Sequence, residues 1–210
     1  VSGTLAQWWS SLDGGGVSTV VVVGDSITEG TGATSYANTF PVLLQQRLES
    51  MSGQSRRLGY VASALTNGAT IPPPRLPHVF SGEAVMGKWG LGGRAIMLNG
   101  PEDHVTYDPQ EYNRVRVWYG KSDFVGGGLR VSVDGEDQGV TLDSNGGDSS
   151  SDGHYWNSPD LGPGSHVVEI TAASDFVGIL DGVEFFNGEG QAGVRVYNAG
   201  HYGYTSSRFL

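Results

Sequence analysis

The segment Thr19-Val20-Val21-Val22-Val23-Gly24-Asp25-Ser26-Ile27-Thr28-Glu29-Gly30 runs a short apolar stretch straight into a Gly-Asp-Ser turn. Four consecutive valines closed by a glycine read as a strand buried on both faces, as in a parallel sheet. Ligand chemistry in such sheets collects beyond the strands' carboxyl ends. Ser26 occupies that place. A serine just past the strand can aim its own backbone N–H at a reacting carbonyl, which makes half of an oxyanion hole beside a nucleophile. Phosphate-loop readings fail on spacing. A Walker loop needs Lys-Ser/Thr after its last glycine, whereas Gly30 is followed by Thr31-Gly32; a dinucleotide fingerprint needs Gly-x-Gly-x-x-Gly directly after the strand, and Asp25-Ser26 follow Gly24 without the second glycine.

On the amino-terminal side, Leu5 to Leu12 form a short amphipathic opening with Trp8 and Trp9 as packing anchors, broken by Gly14-Gly15-Gly16. On the other side, Phe40, Leu43, Leu44, Leu48 and Met51 recur at helical spacing, with Pro41 tolerated in the first turn and Gly53 closing the segment. Strand, serine turn and helix make half of a βαβ unit, whose next parallel strand should follow by a right-handed crossover.

It is long delayed. From about residue 57 to 189 the pattern changes to short alternating runs: Arg114–Tyr119, Leu129–Val133, Ser165–Ile170 and Val177–Leu180. These are antiparallel strand signals, and Asp134-Gly135 after Val133 is a strong hairpin turn. The expectation is an antiparallel β-sandwich or jelly roll over 57–189, inserted into an α/β core made by 1–56 and 190–210. Only at Gly193-Val194-Arg195-Val196-Tyr197-Asn198 does the second core strand arrive. It leads into Ala199-Gly200-His201-Tyr202-Gly203-Tyr204-Thr205.

The block Gly24-Asp25-Ser26-Ile27-Thr28-Glu29-Gly30 resembles the Gly-Asp-Ser-x-Thr-x-Gly nucleophile block of the SGNH (GDSL) hydrolases, a family of esterases and lipases. Asn198, Gly203 and Thr205 resemble that family's second block, in which a strand ends in Asn before a Gly-x-Thr loop. The resemblance covers Thr19–Met51 and Gly193–Leu210. It implies a flavodoxin-like parallel sheet, with Ser26 as nucleophile and oxyanion donor, Gly203 as a second oxyanion donor, and Asp25 and Asn198 in support. Two further family blocks are missing, an Asn donor and an Asp-x-x-His pair. None of the five histidines, His78, His104, His154, His166 and His201, lies three residues after an Asp. A serine without a base keeps only about 10³–10⁴-fold catalysis over water from oxyanion stabilisation and binding. The missing groups, and the rest of the sheet, are therefore expected outside these residues, in sequence after Leu210 or a second chain. A chain that opens on Val1 rather than Met reads as a processed product or a piece.

Composition narrows the partners. Among 210 residues there are 34 glycines, and net charge is −10 with only 12 Lys and Arg, which argues against nucleic acid and anionic membrane surfaces. Cysteine is absent, so neither disulfides nor a thiolate metal site can form, and no apolar run reaches the length of a membrane span. No cofactor is expected. The run Asp143–Asp152 gathers oxygen ligands but lacks the bidentate Glu and spacing of an EF-hand, and reads as a solvated loop. The aromatic residues Trp89, Trp118, Tyr119, Tyr155 and Trp156 suit either a sandwich core or sugar stacking, and His201, Tyr202 and Trp156 are the candidate substrate contacts. Two functions stay open: an extracellular or surface serine esterase removing acyl groups such as acetyl from carbohydrate, and a non-catalytic carbohydrate-binding or structural module, on a cell or virion surface, that keeps part of an esterase core.

Overall fold

The computed structural model describes residues 2–53, 58–63, 78–81, 85–86, 90, 94–146, 151–188, 193–201 and 207. The chain opens with helix α1 (Ser2–Asp13), strand β1 (Val17–Gly24), the one-turn helix α2 (Ser26–Glu29), a 3₁₀ turn at Tyr36–Asn38 and helix α3 (Phe40–Ser52). Eleven strands follow: β2 (Leu58–Ala62), β3 (His78–Ser81), β4 (Val85–Met86), β5 (Ile96–Leu98), β6 (His104–Gln110), β7 (Arg114–Lys121), β8 (Gly128–Val133), β9 (Glu136–Asp143), β10 (Ser151–Asn157), β11 (His166–Ala172) and β12 (Gly178–Phe186). The last strand is β13 (Gly193–Gly200).

Strands β2 to β12 make two antiparallel sheets. One has six strands in the order β10-β7-β12-β5-β4, with β2 also paired to β12; the other has five, ordered β3-β6-β11-β8-β9. The alternation seen in the sequence decides which side faces inward. Val115, Val117, Leu180 and Val183 from the first sheet meet Val105, Leu129, Val131, Val168 and Ile170 from the second, all at 0% exposure, in one continuous apolar core. Asp134 (φ 53°) and Gly135 (φ 83°) are both left-handed and join β8 to β9, the geometry that suits a two-residue hairpin.

The flavodoxin-like α/β expectation fails here. Among the described residues the only parallel pair is β1 with β13, and the other eleven strands are antiparallel. The misreading lies in the valine run. Val21 and Val23 are 57% and 52% exposed, so β1 is buried on one side only. Its inner residues Val20 and Val22 pack with Val194, Val196, Trp8, Trp9, Leu44 and Leu48.

Helix α3 also turns differently from its apparent stripe. Phe40, Leu43 and Met51 are exposed, and the buried positions are Pro41, Val42, Gln45 and Glu49. The reason is a hydrogen-bonding demand from β13. Gln45 Nε2 donates to the Val194 carbonyl at 2.8 Å, and its Oε1 accepts from Val196 N–H at 2.7 Å. One amide side chain thus satisfies the edge of β13 that lies away from β1.

The two parts of the molecule are joined by buried charge. Glu184 on β12, 1% exposed, lies 3.1 Å from Arg195 Nε on β13 and 3.5 Å from Arg116 Nη1 on β7. Beside it, the rings of Tyr60 on β2 and Tyr197 on β13 have centroids 5.9 Å apart. All nine residues of β12 are buried, because the sandwich core covers one face and β13 approaches the other.

Candidate active site

Strands β1 and β13 pair in register from Val17 opposite Gly193 to Gly24 opposite Gly200. The ladder is prolonged by His201 N–H, which donates to the Gly24 carbonyl at 2.9 Å. Both strands therefore stop at the same level, which puts His201 beside the start of the Gly-Asp-Ser turn.

Asp25 caps α2. Its Oδ1 accepts from Ile27 N–H at 3.0 Å, and its carbonyl accepts from Glu29 N–H at 3.0 Å. Ser26 is the first residue of the helix and half-buried. The Ser26 carbonyl accepts from Gly30 N–H at 3.0 Å and Thr31 N–H at 2.8 Å, which closes the turn behind it. Among the described residues, the Ser26 hydroxyl has no hydrogen-bond partner. The two family-like blocks interlock through Asn198. Its Nδ2 donates to the Glu29 carbonyl at 3.3 Å and its Oδ1 accepts from Gly200 N–H at 2.9 Å, so one side chain ties the exit of β13 to the end of α2.

Two glycines allow this approach. A Cβ at Gly24 would run into Thr28 Oγ1, and one at Gly200 would run into the backbone nitrogen of Glu29, with the Thr28 carbonyl carbon at 2.7 Å. The serine turn is seated directly on the strand ends.

Of the residues singled out from sequence, Ser26, Asp25, Asn198 and His201 gather here. Tyr202, Gly203 and Thr205 lie outside the described residues. Trp156 lies elsewhere: it packs against the sandwich core. Sequence reasoning missed Gly24, Gly200 and Gln45 as the residues that set the position of the turn. Gln45 is one of three consecutive polar residues between Leu44 and Leu48, with Gln46 and Arg47, so no signal in the sequence singled it out. No group of three or more His, Asp or Glu side chains among the described residues is arranged to hold a metal ion, and no described helix is long and apolar enough to cross a membrane.

No family model and no curated protein matches the chain. Among solved structures it is similar to a peptidoglycan O-acetylesterase, with 16% identity and a TM-score of 0.60 over 96% of this chain and 53% of the other. The chain therefore spans about half the length of that structure. Looser similarities, too distant to carry an argument, are to a two-domain esterase active on acetylated mannans (18% identity, TM-score 0.43, 53% of this chain and 34% of that one) and to a family 35 carbohydrate-binding module from Clostridium thermocellum (14%, 0.44, 64% and 100%). At these identities the likeness is one of fold.

Proposed function

We propose that the chain carries the nucleophile end of a serine esterase of the SGNH kind that removes acyl groups, such as acetyl, from carbohydrate outside the cell or at its surface. The observation that supports this reading is the interlocked pair of strand ends, with Ser26 at the start of a capped one-turn helix and His201 N–H held on the Gly24 carbonyl. In this reading Ser26 Oγ attacks the ester carbonyl as a general base takes its proton, which that base then gives to the departing sugar oxygen. The carbonyl oxygen becomes an oxyanion held by the backbone N–H groups of Ser26 and Gly203, and collapse expels the sugar hydroxyl and leaves an acyl-serine for water to hydrolyse. Asp25 and Asn198 act as positioning residues. The base and its orienter are supplied from outside these residues, because no histidine has the required spacing to an aspartate.

In the full-length protein a fluorophosphonate probe should label Ser26, and Ser26→Ala should abolish hydrolysis of a small aryl acetate. Unchanged hydrolysis by the variant would overturn the reading. The unpartnered Ser26 hydroxyl favours a second reading, a non-catalytic carbohydrate-binding or structural module. That reading is supported if the probe leaves Ser26 unmodified while the protein still retains a saccharide.

A further inference from the structure

The six-stranded sheet carries an aromatic feature on the side turned away from the sandwich core. Val115 and Val117 point into that core at 0% exposure, so their neighbours Arg116 and Trp118 on β7 point out. On β10, Tyr155 stands opposite Trp118 and Asn157 opposite Arg116. The Tyr155 and Trp118 rings have centroids 5.1 Å apart at 58°. Beneath them, the Arg116 guanidinium sits 4.5 Å from the Tyr155 centroid and 5.3 Å from that of Trp118.

Arg116 is itself fixed. It is 2% exposed, donates from Nε to Asn157 Oδ1 at 2.7 Å and pairs with Glu184. Tyr155 therefore rests on a rigid planar cation and yet remains 50% exposed, an aromatic surface whose orientation is set before anything binds.

Polar groups flank it on both sides. At one end, Asn157 is exposed, and with Oδ1 engaged by Arg116 its amide nitrogen is left to donate outward. At the other end, a Cβ at Gly120, two residues along β7 from Trp118, would come within 3.3 Å of Asp152 Oδ1, which places an exposed carboxylate acceptor at Gly120, further along the strand from the rings. A flat ring with a donor on one side and an acceptor on the other matches a pyranose, whose C–H face stacks while its equatorial hydroxyls reach sideways. The net charge of −10 and the Asp152 carboxylate select against acidic polymers. The feature lies on the sheet face that also receives β13, since Glu184 holds Arg116 and Arg195 together.

We propose that Tyr155 and Trp118, flanked by Asp152 and Asn157, form a stacking subsite for one sugar ring of a neutral oligosaccharide, on the face of the sandwich that carries the serine unit. The subsite deepens the carbohydrate reading given above and rests on it.

The test titrates the 210-residue chain with mannopentaose, xylopentaose, cellopentaose and penta-N-acetylchitopentaose, following tryptophan fluorescence and calorimetric heats. Saturable binding of at least one sugar is expected. Tyr155→Ala should weaken it about tenfold or more, Tyr155→Phe should change it by less than about threefold because the stacking ring is kept, and Asp152→Ala should weaken it about threefold. Absence of saturable binding by any of the four, or equal affinity in wild type and Tyr155→Ala, overturns the subsite. Should Tyr155→Ala lower the melting temperature, the exposed Asp152→Ala variant decides, and unchanged affinity there also counts against it. Ser26→Ala should leave the titration untouched. Loss of the esterase reading through that variant is thereby separable from loss of the subsite.

Discussion

The sandwich and the serine unit solve the burial problem in opposite ways. Eighteen buried residues, all but Tyr112 on the strands of the two sheets, close the sandwich core from within. Among the described residues of the serine unit (α1 to α3 with β13), the buried apolar side chains are Val42, Val194 and Val196, and Val21, Val23 and Ile27 are exposed. A two-stranded sheet is marginal alone. The serine unit therefore depends on bonds to its neighbour: the Arg116–Glu184–Arg195 cluster across the junction and, within the unit, the Gln45 amide on β13. The lesson concerns where function can sit. The self-sufficient part is a scaffold that also carries the proposed sugar subsite, and the residues proposed for ester chemistry are on the part that needs one.

The largest expected effect is at the junction. Glu184→Ala would leave two guanidinium groups buried without their carboxylate, a loss of about 3–5 kcal/mol. In urea unfolding followed by Trp8 and Trp9 fluorescence, the serine unit should detach before the sandwich unfolds. A single transition that keeps the wild-type midpoint would show that the cluster does not hold the two parts together. Within the sandwich, Ile170→Ala should cost about 2–5 kcal/mol through transfer and cavity terms, and it should move the main cooperative transition.

Smaller effects sharpen the contrast inside the serine unit. Gly200→Ala puts a methyl group against the backbone of α2, and about 1–3 kcal/mol is the expected loss, together with faster amide exchange at Glu29 and Gly30. Gln45→Leu keeps the side chain's bulk but strands the Val196 N–H and Val194 C=O, again about 1–3 kcal/mol, read as lost exchange protection at Val196.

The smallest effect is a pH dependence confined to the sandwich. His166 Nδ1 donates to Asp134 Oδ2 at 2.7 Å, and Val167 N–H donates to Asp134 Oδ1 at 2.8 Å. The hydrogen bond that His166 donates to Asp134 raises the His166 pKa above its ordinary 6.5, and the hydrogen bonds that Asp134 accepts from His166 and Val167 lower the Asp134 pKa below its ordinary 3.8. A raised histidine contributes stability that is complete below its unfolded value and is lost as pH rises through its folded value. A lowered aspartate contributes above its unfolded value and loses that as pH falls through its folded value. The pair therefore stabilises most between about pH 4 and 6.5. Asp134→Asn, which tolerates the left-handed turn, should flatten the pH profile of the urea midpoint by under about 1 kcal/mol, since Asp134 is half-exposed. A profile unchanged by the variant would remove the pair from the account.

Local patterns were legible in the sequence where one residue's neighbours settle its conformation. The alternation in Arg114–Tyr119 and Leu129–Val133 and the Asp134-Gly135 turn mark their strands and hairpin directly. Sheet partnership was not legible, because a valine run states that a strand is apolar and not how many neighbours cover it. The exposed Val21 and Val23 are where that inference broke. The serine turn was readable because Asp25 caps from two residues away, while the Gly200 contact and the Asn198 tether join residues that the sequence holds far apart. Tyr155 was visible only as one aromatic residue among several; its backing by Arg116 depends on cross-strand register.

The pairing of β2 with β12 has a consequence for the order of folding. Leu58 stands opposite Phe185, so the sandwich's first and last described strands run side by side and bring the two ends of the excursion together. Until that happens, β1 and β13 are separated by a very long stretch of chain whose closure entropy opposes their meeting; afterwards only the segment through α3 on one side and the short link between β12 and β13 on the other need ordering. The Gly-Asp-Ser turn is thus expected to assemble late in folding, after the sandwich has brought β1 and β13 within reach of each other. A chain interrupted within the sandwich would be left with Ser26 on an unpaired strand.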